Sequence, residues 1–108
     1  MDQQASLDKL VAKVAGAICA SFLEHPAINQ ISLVMSSGVT FKVKNCLAKM
    51  SSLKNLTEES KRILVKDIQN AVISVLFTYE IDPVLISTIA PGMAQIIEKS
   101  LSESNSSH

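Results

Sequence analysis

The sequence predicts an all-α fold, a compact bundle of four to five helices. Three observations carry that expectation. Apolar residues recur every three to four positions along most of the chain, His25-Pro26 and Asp82-Pro83 punctuate those stripes, and 108 residues leave room for one core. Residues 1–101 read as a single helical domain. From Ser100 the chain reads as frayed, and 102–108 as a disordered Ser-rich tail, because it offers little apolar surface to bury.

The first helix is expected from about Ser6 to Glu24, with Leu7, Leu10, Val11, Val14, Ile18 and Phe22 along one stripe. His25-Pro26 ends it, since the residue before a proline is pushed out of the α region. A short second helix is expected over Ala27 to Met35, with Gly38 relieving a left-handed conformation beyond its C-terminus. The stretch that follows supports two readings. Val39 to Lys44 alternates as a strand does, which allows an α+β alternative with a β-hairpin at about 31–44. Val39, Val43, Cys46, Met50 and Leu53 also form a longer helical stripe, and helix is the preferred reading.

The clearest helix begins at Thr57, a good N-cap, with Glu58 and Glu59 in the first turn where the helix dipole favours negative charge. Leu64, Ile68, Val72, Val75, Leu76 and Tyr79 mark its stripe, which makes it the expected central element, and Glu58 and Arg62 are spaced as an ion pair. Asp82-Pro83 opens the last helix as N-cap and first-turn proline, and Ile81 and Ile86 are spaced as a hydrophobic staple. Pro91-Gly92 should kink or interrupt it, yet the stripe Leu85, Ile89, Met93, Ile96, Ile97, Leu101 runs through both halves.

Apolar residues make up 47% of the chain and charged residues 19%, below the roughly 25% usual for soluble domains. In a small domain that balance leaves apolar residues outside the core, which favours an oligomer or a standing partner. Fifteen serines allow the other reading, a full core under a polar but uncharged surface. The start Met1-Asp2-Gln3-Gln4 lacks the basic region of a signal peptide. The longest apolar stretch, Ala15 to Leu23, falls far short of the ~20 residues that span a bilayer. A cytoplasmic protein with reduced Cys19 and Cys46, and with no transmembrane segment, is therefore expected.

Catalytic chemistry finds little support. The two histidines are His25, at a helix break, and His108, at the end of the tail. Cys19 and His25 lie six residues apart, which turns them to different helix faces, and no third group is placed to orient them. Metal-ligand spacing is absent, and the three glycines are too scattered for a phosphate-binding loop. No enzyme, cofactor or metal is expected. Met35, Met50 and Met93 could line an apolar ligand site between helices, though methionine in a stripe more often fills a core.

Two surfaces look surplus to folding. On the first helix, Ala12, Gly16, Cys19, Ala20 and Leu23 lie opposite the main stripe and form a smooth face on which another helix could settle. On the helix after Thr57, Ile73 and Phe77 stand one turn apart, away from the stripe and flanked by Lys66 and Asn70. Either face could equally be covered by this chain's own helices. Left bare, they suggest a small protein-interaction module, an adaptor, chaperone-like or regulatory subunit, that forms a homodimer.

Charge is balanced overall but unevenly spread. Residues 42–66 hold seven bases and two acids, a local net of +5. Lys42, Lys44, Lys49 and Lys54 are the candidate contacts to nucleic acid or another anion. A faint helix-turn-helix outline over 31–50, with Ser36-Ser37-Gly38 as the turn, gives the alternative function of a nucleic-acid-binding regulator. Attraction between a basic face and an acidic one in an oligomer explains the same asymmetry.

Overall fold

A computed structural model of the chain describes residues 2–30, 32–49 and 57–106, with side chains over 7–30, 32–49 and 57–102. Among the described residues there are four helices: α1 (Asp2–Leu23), α2 (Ser32–Ala48), α3 (Glu58–Thr78) and α4 (Pro83–Ser106). Each packs against the helices next to it in sequence, and α4 closes onto α1, so α1 and α3 face each other across a diagonal, as do α2 and α4. No helix is central, α3 included. The expectation of a central helix fails because each stripe is about one face wide and fills a quarter of a shared core.

Specific contacts fix the up-and-down order. The Ser32 hydroxyl, at the start of α2, donates to the Cys19 carbonyl near the end of α1 at 3.2 Å. The Tyr79 hydroxyl, just after α3, donates to the Val34 carbonyl at the start of α2 at 3.4 Å. Gln69 donates to the Ala90 carbonyl at 2.9 Å, and Lys61 to the Ser102 hydroxyl at 2.9 Å, so α3 and α4 also run in opposite senses. The core draws on all four helices, with Val14, Ile18, Val39, Val43, Ile68, Val72, Leu76 and Ile97 fully buried.

The helix caps form as the sequence predicts. Thr57 adopts an extended conformation and its hydroxyl accepts from Ser60 N at 3.0 Å. The Asp82 carboxylate accepts from Val84 N at 3.0 Å, and the staple residues Ile81 and Ile86 are both buried. Glu58 pairs with Lys61 at 3.2 Å, one residue short of the Arg62 that the spacing offered. At the end of α3, Glu80 takes a left-handed φ of 59°, and Ile81 N donates back to the Leu76 carbonyl at 3.1 Å. A residue other than glycine is held in that conformation because the reversal lets Ile81 bury itself immediately afterwards.

Several expectations are corrected. The short helix over Ala27 to Met35, the helix beginning at Val39 and the hairpin at 31–44 all give way to one continuous α2, with no strand among the described residues. Met35, Val39, Val43 and Cys46 are buried at spacings of four, four and three, so burial follows the helical period rather than the alternation. Gly38 sits inside that helix with an ordinary backbone, where a Cβ would lie 3.6 Å from Val75 of α3. The helix-turn-helix outline over 31–50 falls with it, since Ser36-Ser37-Gly38 form no turn. Pro91 likewise lies within an unbroken α4, on its exposed side. Helix α4 continues to Ser106, and Ser100, from which the chain reads as frayed, is buried, while residues 107 and 108 lie outside the described residues.

Gly38 and Pro91 both lower helix stability without an evident packing need. Gly38→Ala should stabilise the fold by about 0.5–1 kcal/mol, because the added methyl meets Val75 at an ordinary contact distance. Pro91→Ala should add about 1–3 kcal/mol by restoring the N–H that bonds the Ser87 carbonyl. Urea unfolding of each variant checks this, and a loss of stability at either position would contradict the helical placement.

Candidate functional site

The helix faces outside the core form the candidate site. Both surfaces singled out in the sequence remain uncovered in part. Ala12, Gly16 and Ala20 are exposed, Cys19 is half-buried and Leu23 is 53% exposed. A Cβ built on Gly16 meets nothing within 4 Å, so space is open at that point of the α1 face. On α3 the pair divides: Ile73 is half-buried against the core, and Phe77 stays 53% exposed.

A third surface, on α2, was missed. Leu33 is 81% exposed, Phe41 62%, and Val34 is exposed beside them. At 100° per residue these three fall about 120° to 160° away from buried Val39, on the side turned from the core. The signal was present in the sequence. Once 32–48 is read as one helix, apolar residues occupy nearly its whole circumference, more than one core face uses.

The candidate basic contacts separate. Lys42 is half-buried, Lys44 and Lys49 are exposed, and Lys54 lies outside the described residues. Lys42 and Lys49 stand on the α3 side of α2, whereas Lys44 is turned well over 100° away, so the helix presents no single basic face.

The antiparallel order produces a different charge pattern. Residues 14–41 and 68–97 contain three charged residues, all acidic: Glu24, Glu80 and Asp82. These segments are the last part of α1, the first part of α2, the last part of α3 and the first part of α4, which the fold gathers at one end of the bundle. All ten lysines and arginines lie outside them in sequence, and those among the described residues stand toward the other end, together with Asp8, Glu58, Glu59, Asp67 and Glu98.

Two thiols have their titration displaced by their surroundings. Burial pushes the Cys19 thiol above its ordinary value. For Cys46 burial again dominates and raises the thiol, with Asp67 adding to the rise and Lys49 and Lys42 opposing it. A raised thiol pKa suppresses the nucleophilic thiolate at neutral pH. Met35 and Met93 are buried in the core, as filling residues would be, and Met50 lies outside the described residues. Among the described residues, no cluster of three His, Cys, Asp or Glu could hold a metal, and no helix is long and apolar enough to cross a membrane. Compared with known protein families, curated proteins and solved structures, the chain matches none.

Proposed function

We propose that this chain is a non-catalytic protein-interaction module, an adaptor, chaperone-like or regulatory subunit, that associates with itself through helix faces its own core leaves bare. The supporting observation is the set of large apolar side chains held in water, Leu23, Leu33, Phe41 and Phe77 among them, in a domain that already fills its core. Exposed apolar groups spread over several helices cost little singly, but a contiguous apolar face is the usual mark of a contact surface. The simplest occupant is a second copy, since small oligomers are most often two-fold dimers.

Light scattering on a sizing column at several protein concentrations tests the reading. The expected result is a dimer that dissociates on dilution. Gly16→Leu and Phe77→Asp then distinguish the α1 face from the α3 face. Both positions are exposed, so both variants should keep full helicity. A monomer at every concentration would overturn the proposal.

A further inference from the structure

The flank formed by α1 and α2 has the properties of a surface that fits its own copy in an antiparallel arrangement. Along the outward side of α2, Leu33, Ser37, Phe41 and Lys44 succeed one another at spacings of four, four and three, and all four are exposed. A small residue thus sits midway between two large apolar ones. If two such helices cross antiparallel at Ser37, Leu33 of each copy falls opposite Phe41 of the other, and the serines allow close approach. The neighbouring face of α1 has the same symmetry about Gly16, with Ala12 and Ala20 on either side and Leu23 beyond.

The two centres of symmetry lie at nearly one height. The Ser32–Cys19 hydrogen bond sets the register between the antiparallel helices, which places Ser37 level with about Val14. Gly16 is two residues from that level, about 3 Å along the axis. One two-fold axis in the plane of the flank therefore serves both helices, pairing α1 with α1 and α2 with α2. The bundle is 37 Å long and 21 Å across its narrowest direction, so such a flank offers about the ~800 Å² per partner of a standard interface.

Charge selects the antiparallel sense. It brings the end whose charges are all acidic against the end where the described lysines and arginines stand in excess over the acids among them, and places Glu24 of one copy at the level of Lys9 and Lys44 of the other. A parallel dimer would align like ends and repel. We propose that the α1–α2 flank is the self-interface of this protein, with two copies packed antiparallel about Gly16 and Ser37. This rests on the self-association reading and specifies its surface and orientation.

The test compares dimer dissociation constants by sedimentation equilibrium on the full chain, with circular dichroism confirming that each variant is folded. Phe41→Asp should weaken the dimer by more than about 100-fold, since the side chain is lost from both halves of the contact. Glu24→Lys should weaken it by about tenfold at low salt, and adding Lys9→Glu and Lys44→Glu in the same chain should recover most of that loss. A dimer that ignores Phe41→Asp but is broken by Phe77→Asp would move the contact to α3, overturning this inference while leaving self-association intact. Strengthening by Glu24→Lys would overturn the antiparallel orientation. A monomeric parent would overturn both proposals.

Discussion

Phe22→Ala should cost about 3–5 kcal/mol, while the same substitution at Phe41 or Phe77 should cost about 0.5 kcal/mol or less in the monomer. The chain has three phenylalanines, and the fold treats them oppositely. Phe22 is 1% exposed in the last turn of α1, close to where the turn that buries Ile28 begins. Its removal leaves a cavity that rigid neighbours cannot collapse to fill, in addition to the lost transfer free energy. For a domain whose total stability is about 5–15 kcal/mol, that one change removes a large fraction. Phe41 and Phe77 are more than half exposed, so truncation removes few contacts and reduces apolar surface in water. Urea denaturation of the three variants, measured under conditions that keep the protein monomeric, gives the comparison. Equal costs at all three positions would contradict the assignment of Phe22 to the core.

The second large effect is expected at the end of the α4 stripe, beside the segment that the sequence reads as a tail. Leu101→Ala should destabilise by about 2–5 kcal/mol, because Leu101 is 1% exposed in α4. Beside it Ser100 is buried, and one residue on, the Ser102 hydroxyl accepts from Lys61 Nζ at 2.9 Å, tying the late turns of α4 to the start of α3. A frayed tail would tolerate the change with no measurable loss. Unfolding midpoints and hydrogen exchange of the amides around Lys99 to Ser102 distinguish the two cases, since a docked helix protects them and a frayed one does not.

Where local chemistry and packing agree, the fold was legible in the sequence. The start of α3 at Thr57, the start of α4 at Asp82-Pro83 and the burial of the α1, α3 and α4 stripes, apart from exposed Tyr79, all follow from caps and periodicity that need no knowledge of neighbours. The region around α2 was not legible in the same way. Gly38 signals a break when read locally, and Val39 to Lys44 alternates, but the packing of Met35, Val39 and Val43 holds a helix through both signals. Ser100 failed for a related reason: a serine-rich composition reads as solvated, whereas Leu101 beside it was already marked by the α4 stripe and is buried. The bare face of α1 and exposed Phe77 could be named from helix geometry alone. Leu33 and Phe41 could not, because they become surplus only when 32–48 is one helix with its core side known. The gathering of the uncharged segments at one end is a property of the antiparallel order and belongs to no single stretch of sequence.

That same order of packing has a kinetic consequence. Three of the four helix interfaces join elements adjacent in sequence, so α1–α2, α2–α3 and α3–α4 can form as local hairpins at a small loop-closure cost. Only the seam between α4 and α1 joins distant parts of the chain. Low average sequence separation between contacts favours folding in microseconds to milliseconds, with the α1–α4 seam as the entropically most expensive step. Substitutions along that seam therefore report on a different stage of assembly from those at the α2–α3 contact between Gly38 and Val75.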